Sequence, residues 1–228
     1  MIRLVLFDID GTLIRTGGAG VKAFGRAFAN EFGLPQGTER LKFAGRTDTG
    51  LVQEFFQQNQ IELTKQNFQR FFECYIFWLD HLLGQLDGGL CPQVREFLRD
   101  LQVLPQPPLL GLLTGNIRLG AEIKLRHFQL WDEFQTGGFG DDHPERNQIA
   151  AIARDRASRV LDGKLQGEQI LVIGDTPLDI ECARAIDAKV LAVATGGSKL
   201  EELQTLRPDW AVADLRRVTA AEVCGRQT

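Results

Sequence analysis

The sequence predicts an α/β fold: a parallel sheet covered by helices on both faces, interrupted near its start by an all-helical insertion. Three observations predict it. Short apolar runs recur along the chain and end at turn signals, as strands buried on both faces do. Helical patterns alternate with the later runs. The stretch from residue 15 to 90 instead holds 10 of the 15 phenylalanines, many at helical spacing, and no convincing strand.

The elements follow in order. Ile2–Phe7 is the first strand, closed by Asp8 and the turn Asp10-Gly11-Thr12. Phe24, Phe28 and Phe32 recur every four residues and share one helix face. Phe68, Phe71, Phe72, Tyr75, Trp78, Leu79 and Leu82 make a second stripe. Such stripes line ligand pockets or build helix-to-helix core, and core is the commoner use. Gly17-Gly18 and Gly88-Gly89 bracket the insertion and suit hinges as well as plain turns. Further strands are expected at Leu109–Leu113, Ile170–Ile173 and Val190–Ala194, with a weaker one at Trp210–Ala213. Ile149–Leu161 reads as a helix. Pro177–Ile186 reads as another, with Pro in its first turn and Thr176 or Asp175 as cap. The sum is a Rossmann-like core of residues 1–14 and 91–228 with a helical cap of residues 15–90.

Composition excludes several classes. With 43% hydrophobic residues and 15 Phe, the chain is neither disordered nor collagen-like. Its apolar runs fall far short of the ~18 residues of a membrane span. Met1-Ile2-Arg3 opens no signal-peptide pattern. A net charge of −4 and the lack of a basic stripe argue against broad nucleic-acid binding. Cys74, Cys91, Cys182 and Cys224 form no C-x-x-C pair, so a reduced, cytoplasmic protein is expected, with no nucleic-acid or membrane partner. The oligomeric state and the natural substrate are not set by the sequence.

Three strand ends carry chemistry. In an open α/β sheet, ligands bind beyond the carboxyl ends of the strands. Asp8 and Asp10 sit there. Such a pair can bind a hard cation through oxygen, or divide nucleophile and acid/base roles, or be a solvated surface turn. Asp175 and Asp179 follow a second strand. Each also has a structural use, Asp175 as a cap and Asp179 as a first-turn carboxylate favoured by the helix dipole. Thr114-Gly115-Asn116 ends a third strand and could cradle a phosphate oxygen through Thr114 Oγ and the Gly115 N–H, although Thr-Gly-Asn is also a common turn.

Taken together, these motifs resemble the haloacid dehalogenase (HAD) superfamily of phosphohydrolases. The Asp-x-Asp-Gly-Thr-Leu motif matches Asp8 to Leu13, the Thr/Ser motif matches Thr114, and Gly-Asp-Thr-x-x-Asp matches Gly174 to Asp179. The order is right and nearly the whole chain is covered. The likeness is closest to phosphoglycolate-phosphatase-like members with a helical cap. It implies a Mg²⁺-dependent phosphomonoester hydrolase acting on a small phosphorylated metabolite. Asp8 would form an aspartyl-phosphate, and Asp10 would serve as general acid and base. Thr114, Gly115 and Asn116 would bind the phosphoryl group. Mg²⁺ would be held by Asp8, the backbone carbonyl of Asp10 and Asp175, with Asp179 beside them or orienting a cation. The family usually supplies a Lys upstream of its last motif. No Lys lies between Lys124 and Lys164, and Arg146 is the candidate replacement, with a solvated helix-start Arg as the alternative. Arg46, in Ala44-Gly45-Arg46-Thr47-Asp48, matches a cap loop that reaches substrate, but it also suits an ordinary surface position.

Two other readings compete. Related β-phosphoglucomutase-like phosphotransferases carry a His in the first cap segment, and residues 14–24 contain none. A non-catalytic phosphate- and Mg²⁺-binding relative, like a receiver domain, would need neither Asp10 nor a cap.

Overall fold

The computed structural model describes residues 1–36, 38 and 41–225. Six parallel strands form the main sheet: β1 (Leu4–Phe7), β4 (Leu109–Leu113), β5 (Thr136–Gly138), β6 (Ile170–Gly174), β7 (Lys189–Val193) and β8 (Trp210–Val212). Their spatial order is β5-β4-β1-β6-β7-β8. β1 lies between β4 and β6, where the order reverses. That reversal opens the crevice in which doubly wound sheets bind ligands.

The continuous apolar runs have a simple cause. Successive side chains of a strand alternate between faces, so a strand covered on both sides is apolar throughout. Val5 and Phe7 join Leu171 and Ile173 in one buried cluster with α4 (Val94–Gln102), α5 (Arg118–His127) and α9 (Ala220–Cys224). Leu4 and Leu6 join Ile170 and Val172 in the other, with α6 (Arg146–Val160), α7 (Pro177–Arg184) and α8 (Leu200–Thr205). The register sets Phe7 level with both Leu112 and Ile173. Asp8, Thr114 and Asp175 therefore leave one sheet edge together.

Between β1 and α4 lie α1 (Ala19–Phe32), α2 (Asp48–Gln58) and α3 (Lys65–Leu83). Their aromatic stripes meet in a third apolar cluster, to which Ile117 of the core also contributes. Phe28 stacks on Phe55 with centroids 3.7 Å apart, and Phe24 packs edge-on against Phe71 and Tyr75. Thr47 caps α2 by accepting the Gly50 N–H, and Thr64 caps α3 through Asn67.

Three details differ from the sequence reading. The stretch read as strandless begins and ends in an antiparallel ribbon, β2 (Ile14–Arg15) with β3 (Gly89–Leu90). β5 carries only Thr136-Gly137-Gly138, too short to show alternation. Of the two caps considered for α7, Thr176 takes the position, and Asp175 stays free for the crevice. Among the described residues, no helix is long and apolar enough to cross a membrane.

Candidate active site

A cavity of about 450 Å³ opens above the carboxyl ends of β1, β4 and β6. Asp8, Asp10, Thr114, Gly115, Asn116, Arg146, Asp175 and Arg46 all line it. Of the residues singled out in the sequence, only Asp179 stands behind the wall, fully buried.

Arg146 is the hub. It opens α6 and is buried, which excludes the solvated alternative. Its Nη2 donates to Asp8 Oδ1 at 2.8 Å, to Asp179 Oδ1 at 2.5 Å and to the Leu113 carbonyl at 3.2 Å. Its Nη1 donates to the Gly45 carbonyl at 3.1 Å. Its Nε–H is buried without an acceptor among the described residues. Burial works against the cation, but Asp179 and Asp8 outweigh it and hold the guanidinium protonated. Asp179 Oδ2 meanwhile accepts the Thr176 N–H and O–H at 2.9 and 2.7 Å. Both Asp179 oxygens are thus engaged, one capping α7 and one orienting Arg146.

Asp8 and Asp175 face the cavity. Burial and then the neighbouring Asp179 push Asp8 up to about 7, with Arg146 opposing. Burial, Asp8 and Asp179 push Asp175 to about 8, while Thr12 Oγ1, donating at 3.2 Å, opposes. Asp175 Oδ2 sits against glycine backbone: a Cβ on Gly196 would lie 1.6 Å from it. Carboxylate oxygens of Asp8, Asp175 and Asp179 lie within 4.8 Å of one another. This buried, all-oxygen set, three carboxylates against one guanidinium, fits a hard divalent cation such as Mg²⁺.

Asp10 is held differently. Its Oδ2 accepts from Asn116 Nδ2 at 2.8 Å and from Lys124 Nζ at 2.6 Å. Asn116 also donates to Thr114 Oγ1 through its backbone N–H and its amide, at 3.2 and 2.8 Å. With those bonds accepted, the Thr114 hydroxyl keeps its own proton for the cavity, and no described residue takes it.

The segment from Gly45 to Thr49 closes the cavity from the helical side. Asp48 N–H donates to the Gly115 carbonyl at 2.7 Å, and Ile117 N–H donates to Asp48 Oδ2 at 2.9 Å. Thr47 and Thr49 hydroxyls donate to the Pro144 and Gly140 carbonyls at 2.7 and 2.6 Å. Gly115 permits this approach, since a Cβ there would lie 2.0 Å from the Arg46 carbonyl oxygen. Arg46 itself pairs with Glu54 at 2.6 Å while edging the cavity.

The sequence assigns Thr12, Asp48 and Tyr75 no part in the chemistry, Asp48 being offered only as a helix cap, and it holds Lys124, like Arg118, only in reserve behind Arg146. Tyr75 belongs to the aromatic stripe read as core, and it also lines the cavity. For Lys124 a signal existed: it is the only lysine between residues 65 and 164, two helical turns beyond Asn116.

Comparison with known proteins bears on the family and the fold. Residues 5–193 match the model of the haloacid dehalogenase-like hydrolase family. The pyrophosphatase PpaX of Oceanobacillus iheyensis is 27% identical over 228 residues, covering 95% of each chain. A predicted phosphoglycolate phosphatase from Haemophilus somnus shares the fold with a TM-score of 0.70 at 24% identity, over 93% of this chain and 94% of its own. CbbY from Rhodobacter sphaeroides, solved in complex with phosphate, has a TM-score of 0.67 at 17% identity, over 87% and 88% of the two chains. With the family match spanning most of the molecule, the chain belongs to the haloacid dehalogenase-like hydrolases.

Proposed function

We propose that this hydrolase cleaves phosphomonoesters of small metabolites through an aspartyl-phosphate on Asp8, with residues 15–90 acting as its cap. The observation that carries the reading is the convergence of Asp8, Asp10, Thr114, Arg146 and Asp175 on one cavity. Arg146 fixes Asp8 Oδ1 and leaves Oδ2 to attack phosphorus. The bond from phosphorus to the leaving oxygen breaks as Asp10 delivers a proton to that oxygen. Thr114 O–H donates to the transferring group, and Arg146 offsets its charge. Asp10, now a carboxylate, then takes a proton from water. The water attacks phosphorus, releases phosphate and restores the Asp8 carboxylate. Mg²⁺, held by Asp8, Asp175 and the Asp10 backbone carbonyl, would supply charge neutralisation at the phosphoryl oxygens. The four free cysteines suit a reducing, cytoplasmic setting.

The name of the PpaX relative raises inorganic pyrophosphate as a second substrate. The apolar wall of Val21, Phe24, Phe43 and Leu51 favours an organic leaving group instead. Phenyl phosphate and pyrophosphate, assayed in parallel with Mg²⁺ and with excess chelator, decide between them. Borohydride reduction of acid-quenched turnover should convert Asp8 to homoserine. Phosphate release without any such trapping would remove the covalent step.

A further inference from the structure

Lys124 is the only buried lysine among the described residues, with its side chain 4% exposed. Burying an ammonium is unfavourable unless its partners compensate. Both of its partners belong to the acid/base corner of the cavity. Nζ donates to Asp10 Oδ2 and to Asn116 Oδ1, each at 2.6 Å. Because lysine only donates, the Asn116 oxygen must face it, and the Asn116 amide nitrogen must face Asp10 and Thr114. Without these bonds Asp10 would be loosely held, since its side chain is 42% exposed to the cavity.

The bonding is one-sided. Both donors use Oδ2, and no described residue engages Oδ1. When Asp10 is a carboxylic acid, its proton therefore belongs on Oδ1, the oxygen left to meet the leaving group. We propose that Lys124 is a positioning residue for Asp10. It saturates Oδ2, directs the transferable proton to Oδ1, and stabilises the carboxylate that appears as the proton passes to the leaving oxygen. Asn116 completes the same clamp. The proposal rests on the phosphatase reading and deepens it. No proton leaves Lys124: the Oδ1–H bond breaks, the leaving oxygen gains the proton, and Asp10 recovers one from water in the hydrolytic half.

The test uses the leaving group. A good leaving group departs without a proton, so losing acid positioning matters only for a poor one. Values of kcat/KM for Lys124→Met and Asn116→Ala are compared on phenyl phosphate and on 2,4-dinitrophenyl phosphate, whose rings occupy similar space. Lys124→Met should lose at least ~10-fold on phenyl phosphate, part of the ~10²–10⁴-fold that a general acid supplies, and under ~3-fold on the dinitrophenyl ester. Asn116→Ala should shift the ratio the same way. In an Asp10→Asn background, Lys124→Met should add almost nothing. Equal losses on both esters, no loss, or losses that multiply with Asp10→Asn would overturn the proposal. Should Lys124→Met fail to melt cooperatively, the Asn116→Ala ratio decides alone. A wild-type protein inactive on both esters would instead overturn the phosphatase reading beneath it.

Discussion

Replacing Arg146 tests the site at its most loaded point. Arg146→Ala removes one guanidinium from two buried carboxylates and two backbone carbonyls at once. Breaking a buried ion pair by removing one partner typically costs ~3–5 kcal/mol, because the other charge stays buried and uncompensated. For a chain of this size each kcal/mol moves Tm by ~2–4 °C, so a fall of roughly 6–20 °C is expected in metal-free buffer. Turnover should drop ~10²-fold or more, the scale of one preorganised charge-stabilising group. Arg146→Lys separates the two functions. A single ammonium can replace Nη2, which alone serves Asp8 and Asp179, but it has no counterpart of Nη1 for the Gly45 carbonyl. The lysine variant should keep most of the stability and show its defect mainly in KM, through the weakened contact with the cap loop. Calorimetry and steady-state kinetics on phenyl phosphate provide both readouts. An alanine variant with wild-type Tm and kcat would show that Arg146 does nothing beyond opening α6.

Three further outcomes follow from the same geometry. Asp175→Ala should raise the Mg²⁺ concentration for half-maximal activity by at least ~10-fold, since even outer partners of metal ligands are worth 10–100-fold; full wild-type activity in excess chelator would reject the metal site. Gly115→Ala forces the backbone of Arg46 to retreat, because its Cβ would lie 2.0 Å from that carbonyl oxygen. A displacement of ~1 Å at the cap loop should cost ~10²-fold in kcat/KM, and an unchanged value would mean the docked loop is not the working state. Asp48 is raised to about 7, chiefly by burial and also by Asp10 and Asp141, against Lys124 and the Ile117 N–H. Its folded value lies above its unfolded one, so the folded state binds more protons between roughly pH 4 and 7 and stability falls as pH rises through that window. Asp48→Asn should flatten the corresponding part of the Tm–pH curve and raise Tm at pH 8; an unchanged slope would place the effect elsewhere.

What the sequence determined by itself was local to the longer strands and the turns behind them. Phe7-Asp8-Ile9-Asp10, Leu113-Thr114-Gly115-Asn116 and Gly174-Asp175-Thr176 are each legible because a buried strand needs an unbroken apolar run, and the first polar residue marks its end. Parallel pairing then aligns those ends without further information. Helical spacing likewise sufficed for α1 and α3, whose phenylalanines and Tyr75 must bury against one another. Arg146 was legible only through the family resemblance, which implies a cation in a segment where this chain has no lysine. The β2–β3 ribbon and β5 were not, because two or three residues cannot display a period. Tertiary structure alone decided which groups meet across the chain. Lys124 reaches Asp10 over 114 positions, and Arg146 reaches Gly45 over 101. Asp48 meets the start of α5 over 69. No periodicity encodes such pairs. They arise because α5 and the Gly45–Thr49 segment pack over one sheet edge, where burial leaves each charge only the partners that packing brings within reach.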